Sequence, residues 1–317
     1  MRKAALIYNP ASGQKHHLRL ALVQEAATAL NAAGIATTLI PTEAAGSAGR
    51  QAGEAVAQGH DAIFACGGDG TVFDVLQGMV AHPDIPLGLV PLGTGNVLAN
   101  DLGIPWKPTL AIAAQLGFKP RRIAVGQIEY QTRAGTRDAR YFTVMAGVGA
   151  DALMIYRSNS AAKKRFGVLA YVWQMLRIAV SHPYEEFSVE VSAGGPTRHI
   201  AVSQIAAVRI THFGNFMQRF APDAALTRDD FQSILISSPS RLKGFAYMLG
   251  AILHQRWNIS GIERVHCTKL ECLARTGQEY AYGLYAQADG ELLGTLPVTI
   301  RIVPNAFTLL MPPEQSR

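Results

Sequence analysis

The chain has 317 residues, a formal net charge of +6 and 49% hydrophobic residues, which is too apolar for a disordered protein and long enough for about two domains with a sizeable core. Its three cysteines, Cys66, Cys267 and Cys272, show no Cys-x-x-Cys spacing, which argues against a disulfide framework or structural zinc and suits a reducing cytosol. The apolar run Ala4 to Tyr8 is too short for a signal peptide, and no stretch approaches the roughly 20 apolar residues of a membrane span, so a soluble, cytoplasmic protein is expected.

The first hundred residues alternate strand and helix. Ala4–Tyr8 predicts a strand ending at Asn9-Pro10, and Leu18–Ala33 a helix stopped by Gly34. Ala36–Ile40 is a second strand, Ala48–Gln58 a helix and Asp61–Cys66 a third strand. Thr71–Val80 is a further helix, and Pro86–Val90 a fourth strand followed by another helix. Such alternation with short loops predicts an α/β fold with a doubly wound parallel sheet. From about Arg121 strand-like runs predominate: Ile123–Tyr130, Tyr141–Ala146, Glu186–Ser192, Ile200–Ile210, Ser233–Ser237, Val265–Leu273, Glu279–Ala286 and Val298–Ile302. Helical stretches near Leu153–Val180 and Leu242–Gln255 interrupt them. This texture predicts a C-terminal antiparallel β-sandwich. The expected division is 1–120, an α/β domain, and 121–304, a β-rich domain.

Glycine-rich turns follow three of the four strands: Asn9-Pro10-Ala11-Ser12-Gly13, Gly67-Gly68-Asp69-Gly70-Thr71 and Gly93-Thr94-Gly95-Asn96. All three belong at the carboxyl edge of the sheet, where α/β proteins bind ligands. Glycines let the backbone approach phosphate oxygens, a following helix adds its positive end, and Thr71 and Thr94 offer hydroxyls. Asp69 is an acid inside a phosphate-binding loop, which makes sense if it engages Mg²⁺ or accepts a proton. There is no Walker A lysine motif, and no dinucleotide Gly-x-Gly-x-x-Gly follows the first strand.

The set of motifs resembles the diacylglycerol kinase catalytic-domain family, closest to its bacterial lipid kinases, over nearly the whole chain. Asn9 to Gly13 resembles the family's opening, and Gly93 to Ala99 with Leu102-Gly103-Ile104-Pro105 resembles its second glycine segment. Ala146 to Ala152, Ala221-Pro222-Asp223-Ala224, Asp289-Gly290-Glu291 and Ile302-Val303-Pro304 follow in order. The resemblance implies an ATP-dependent, Mg²⁺-requiring lipid kinase that converts diacylglycerol or a related acylated alcohol. Asn9, Pro10, Ala11, Ser12, Gly13, Thr42, Gly67, Gly68, Asp69, Gly70, Thr71, Gly93, Thr94, Gly95 and Asn96 would line the nucleotide site. Arg165 would reach the phosphates. Glu291 would be the general base, with Asp289 beside it and Asp69 completing the catalytic acids. The resemblance also implies that 305–317 returns to the first domain. The lipid would be met at the inner face of a membrane, in keeping with the basic charge, and no nucleic-acid partner is implied.

Read alone, Asp289-Gly290-Glu291 is a hairpin turn with a solvated acid. The apolar spacing of Leu169, Val172, Trp173, Leu176 and Val180 suits either an acyl channel or ordinary core. Lys163-Lys164-Arg165 suits a membrane surface or a solvated loop. The chain departs from the family at Phe73-Asp74, where Asn-Glu is usual, and at Asp229-Asp230-Phe231-Gln232, where a glycine follows the acids. In some relatives that second loop holds a structural Mg²⁺, to which Thr227, Asp230 and the Gln232 carbonyl would correspond. Two surface aspartates capping a turn is the alternative. NAD kinases share the Gly-Gly-Asp-Gly-Thr loop and form a second functional reading, and a nucleotide- or lipid-binding protein of little turnover is a third. Exposed strand edges leave a homodimer open.

Overall fold

A computed structural model describes residues 1–10, 18–149, 185–213, 220–237, 241–253, 255, 257–275 and 284–313. Ala11, Ser12, Gly13, Arg165 and the apolar 169–180 stretch therefore lie outside the described residues. The chain separates into two compact units, Met1–Val125 with Pro304–Arg317, and Gly126–Val303.

In the first unit, strands β1 (Lys3–Tyr8), β2 (Ala36–Pro41), β3 (Ala62–Gly67) and β4 (Pro86–Pro91) alternate with helices α1 (Arg19–Ala32), α2 (Ala48–Ala57) and α3 (Asp69–Met79). Helices α4 (Val97–Asp101) and α5 (Pro108–Leu116) follow. The end of the long strand β15 (Glu291–Met311) pairs in parallel with β4, giving the order β15, β4, β3, β1, β2. Successive residues of a strand face opposite sides, and Ala4 to Tyr8 are all buried, so both faces must be covered. Ala4, Leu6 and Tyr8 pack with Val23 and Leu30 of α1 and Ile112 of α5. Helices α2 and α3 pack on the sheet through β1 and β3 and against each other.

Strand order reverses beside β1: the chain steps out to β2 and returns to β3 on the other side. That switch point opens a crevice at the carboxyl ends of β1 and β3, where Asn9 and Gly68 stand.

The second unit is antiparallel. Strands β7 (Met145–Gly149), β10 (Gln204–Val208), β11 (Phe231–Ile236), β12 (Ile262–Cys267) and β14 (Tyr285–Ala288) join the start of β15 in the order β12, β11, β10, β7, β14, β15. Further along, β15 pairs with β13 (Lys269–Leu273), which continues to β8 (Phe187–Ser192) and β9 (Arg198–Val202). β15 also pairs with β5 (Lys119–Gln131), which pairs with β6 (Arg137–Phe142). One bent strand thus feeds both sheets of the sandwich. Inward Phe187, Val189 and Val191 alternate with outward neighbours on β8. Beside β10 and β11, helix α6 (Arg241–Ile252) contributes Tyr247, whose hydroxyl donates to the Phe220 carbonyl at 2.7 Å.

Three runs expected as single strands are each two. Tyr141–Ala146 breaks at Thr143-Val144, Ile200–Ile210 at Ser203 and Val265–Leu273 at Thr268. In each case a break residue's N–H leaves the strand pairing: Thr143 and Val144 turn to Asp289, Ser203 to the Ile236 carbonyl, Thr268 to the Ser192 carbonyl. The α3 helix begins two residues earlier than expected, so Asp69, Gly70 and Thr71 form its first turn.

Helices α2 and α3 touch backbone to backbone. A Cβ on Gly78 would lie 1.9 Å from the Gly49 carbonyl oxygen, with no flexible side chain to yield. Overpacking costs about 1–3 kcal/mol and helix propensity returns about 1 kcal/mol, so Gly78→Ala is expected to lower stability in urea unfolding by about 1 kcal/mol. A neutral or stabilised variant would show that the helices separate freely.

Candidate active site

The first unit's site is built from two glycine turns pressed together. A Cβ on Gly93 would lie 2.4 Å from the Gly68 Cα, and one on Gly67 would collide with the Thr71 side chain. Only glycine fits at these contacts. The Leu92 N–H donates to the Gly67 carbonyl at 2.8 Å, extending the β3–β4 pairing into the loops.

Asp69 joins the two loops. At the first position of α3 it sits at the positive helix end, and its Oδ1 accepts the Val97 N–H at 2.6 Å, at the start of α4. A Cβ on Gly95 would lie 2.6 Å from Asp69 Oδ2, so Gly95 leaves the carboxylate its place. Burial pushes the Asp69 carboxyl above its usual range, against backbone N–H groups of Val97, Asn96 and Leu98 that favour its charge.

Asn96 staples the second turn. It adopts the left-handed conformation (φ 46°), its Oδ1 accepts the Gly93 N–H at 2.8 Å, and its Nδ2 donates to the Gly93 carbonyl at 3.0 Å. Asn100 Nδ2 donates to the Gly95 carbonyl. Thr94 and Gly95 are thereby held exposed at the tip, whereas Thr71 is buried against Gly67. Thr42 follows β2 at the same edge, its N–H donating to the Tyr8 carbonyl beside Asn9. Pro10 is exposed in the turn that follows.

Two residues brace this edge: Arg19, which the sequence did not single out, and Asp74, noted there only as a departure. Arg19, 3% exposed at the start of α1, donates from Nη1 to the Leu92 carbonyl at 2.7 Å, just before the second turn. Asp74 Oδ2 accepts the Gly46 N–H, tying the loop after Thr42 to α3. Phe73, the family departure, is 4% exposed and belongs to the core. An arginine a few residues past a glycine-rich opening carries no distinguishing pattern in the sequence.

In the second unit Asp289 and Gly290 form the hairpin between β14 and β15. Both have positive φ, 47° and 88°, the signature of a type I′ turn. The Asp289 carboxylate does not face solvent. Oδ2 accepts the Thr143 N–H and hydroxyl, and Oδ1 accepts the N–H groups of Val144 and Met145, at 2.8 to 3.2 Å. Burial nevertheless pushes its pKa up to about 6, since desolvation outweighs these bonds. Asp289, expected as a catalytic acid, is an anchor that turns the β6–β7 connection toward the hairpin. Glu291, one pleat on at the start of β15, is exposed.

The candidate metal residues Thr227, Asp230 and Gln232 are exposed or engaged within the protein. Thr227 is exposed. The Asp230 carboxylate is taken by the Arg228 guanidinium and lies 3.3 Å from His266 Nδ1. The Gln232 side chain exchanges hydrogen bonds with Asp223, and its backbone lies between β10 and β12 in the sheet. Among the described residues no three His, Cys, Asp or Glu side chains gather into a metal-binding cluster. Phe231 is 1% exposed in the sandwich core.

A parallel sheet with interlocked glycine turns at its switch point, on a chain continuing into an antiparallel sandwich, defines a two-part α/β protein with a glycine-loop edge. Residues 3–128 match the diacylglycerol kinase catalytic domain, and residues 143–311 match the YegS C-terminal NAD kinase beta sandwich-like domain. The chain belongs to the diacylglycerol kinase catalytic-domain family of lipid kinases. A diacylglycerol kinase of Bacillus subtilis (strain 168) is 29% identical across 100% of this chain and 98% of its own length. One from Staphylococcus saprophyticus is 25% identical over 93% and 91%. A solved chain from Bacillus anthracis str. Sterne superposes with a TM-score of 0.74 at 21% identity, covering 98% of both chains, which establishes the likeness of fold. Among the described residues no helix is long and apolar enough to cross a membrane.

The Asp289 assignment has a pH signature. Its folded pKa, about 6, lies above the ordinary 3.8, so its contribution to stability is complete below 3.8 and is lost as pH rises through about 6. Asp289→Asn should cost about 2 kcal/mol at neutral pH, because its NH₂ would oppose N–H donors. The stability difference between wild type and variant should shrink from about pH 4 to about pH 6 and then stay flat. A constant difference across that window in pH-dependent melting would remove Asp289 as a buried titrating anchor.

Proposed function

We propose that this chain transfers the γ-phosphoryl group of ATP to the hydroxyl of a membrane lipid, diacylglycerol being the first acceptor, with phosphatidic acid as product. The observation that carries the reading is the Gly68–Gly93 contact locked by Asp69, within a family whose relatives are named diacylglycerol kinases. Glycine backbone at the switch point beside the start of α3 suits phosphate oxygens, and side chains are absent where a phosphate must approach. These residues fit a nucleotide phosphate chain. Mg²⁺ bound with ATP would supply charge neutralisation. Thr94, Gly95, Thr42 and Asn9 would bind and orient the nucleotide, joined by 11–13 and Arg165, as the family resemblance implies.

Asp69 keeps the two turns in register and places a negative charge at the edge of the cradle, where it would help hold the metal. Glu291 is the general base of this reading. Its exposed carboxylate accepts the lipid hydroxyl proton as the oxygen attacks phosphorus, and the Asp289 anchor fixes the hairpin that presents it. The net charge of +6 favours work at an anionic membrane surface, such as the inner face of the cytoplasmic membrane.

The test uses γ-labelled ATP, Mg²⁺ and mixed micelles of diacylglycerol. Wild type should place label in an organic-extractable product. Glu291→Gln should lower kcat by about 100-fold or more while ATP still binds, as expected for loss of a general base. Asp69→Asn should weaken both ATP binding and turnover. Label entering NAD instead of lipid would move the chain to the NAD kinase reading. ATP binding with no acceptor labelled would leave a binding protein in its place.

A further inference from the structure

Arg209 is the largest fully buried side chain of the described residues, 0% exposed, and follows directly on β10. Its guanidinium is surrounded by the carbonyls of one loop. Nη2 donates to Leu226 O at 3.0 Å, and Nη1 to Asp230 O at 2.9 Å and Arg228 O at 3.3 Å. Burial lowers its pKa to about 10, while the charges of Asp230, Asp229 and Asp289 raise it, so it stays charged at neutral pH. Several carbonyls of one loop turned inward on a common centre is how proteins hold a hard cation. A guanidinium can fill such a centre with a rigid planar fork of donors.

The same residue reaches the Asp289 anchor. Its N–H donates to the Val144 carbonyl at 2.9 Å, and the Val144 N–H donates to Asp289 Oδ1 at 2.9 Å. Loop 226–230, the end of β10, the β6–β7 connection and the hairpin before Glu291 are therefore linked through Arg209 and one further residue.

We propose that Arg209 is the built-in cation of loop 226–230, held by the 226, 228 and 230 carbonyls beside the residues to which the family resemblance assigns a divalent metal, so that the second unit folds without any metal ion. The loop carbonyls form a cation site that the protein's own side chain occupies, and divalent metal is needed only with the nucleotide. Removing the guanidinium leaves oxygen ligands that a small cation can use.

Melting of nucleotide-free protein tests this without reference to the phosphoryl acceptor. Wild type should melt within about 1 °C of the same temperature in EDTA, Mg²⁺ and Ca²⁺. Arg209→Ala should lose on the order of 10 °C and recover part of it in millimolar guanidinium or Ca²⁺. Arg209→Lys keeps a charge but not the fork. It should fold with an intermediate melting temperature and amide exchange over 221–230 faster by about tenfold, and it carries the test if the alanine variant does not fold. A wild-type melting temperature that drops by several degrees in EDTA would overturn the proposal. So would a folded Arg209→Ala blind to added cations, or an Arg209→Lys indistinguishable from wild type.

Discussion

The Asp69 Oδ1 bond to the Val97 N–H holds together two loops that belong to different βα units. The rest of the edge follows from it. For the carboxylate to reach α4, the turns after β3 and β4 must touch, and Gly68 and Gly93 meet where a Cβ on Gly93 would lie 2.4 Å from the Gly68 Cα. Gly95 must leave Oδ2 its place, and Asn96 must take a left-handed conformation to bring its own peptide in. A hydrogen bond to a charged group contributes about 1.5–3 kcal/mol net, but here its geometric effect matters more. It fixes the spacing of backbone that a phosphate would meet.

The second unit uses a carboxylate in the same way. Asp289 gathers three successive N–H groups and a hydroxyl from residues 143–145, making a rigid base for the turn that leads to Glu291. Both acids are pushed above their usual range because burial costs the charge more than the donors return. Two acids of the Asp-x-Glu segment are thus divided by environment. One is enclosed and structural, and the other is exposed.

Much of this was legible in the residues. Strand and helix alternation over the first hundred residues places β1 to β4 within a residue or two, since continuous apolar runs bounded by glycine turns have few alternatives. The strand breaks at Thr143, Ser203 and Thr268 were not legible. All three are β-compatible residues or small polar ones inside apolar runs, and what breaks the strand is a distant acceptor such as Asp289, about 145 positions away. The enclosure of Asp289 was hidden for the same reason: an Asp-Gly pair reads as a solvated turn, and its donors are backbone groups with no sequence mark. The Asp69 position was visible as a motif but not as a helix start, because Asp-Gly-Thr has poor helix propensity and the first turn is set by the Gly68 contact.

The departures from the family pattern are the most instructive residues. Phe73 adds an apolar face to α3 next to Val72 and Leu76, and Asp74 keeps an acid where it can hold Gly46. Phe231, where the family has a glycine, begins β11 and is buried in the core, next to loop carbonyls that Arg209 gathers. Arg209, directly after β10, is a buried arginine that the apolar run before it does not announce. In the fold its guanidinium takes the carbonyls of Leu226 and Asp230, directly ahead of the bulky core residue at 231.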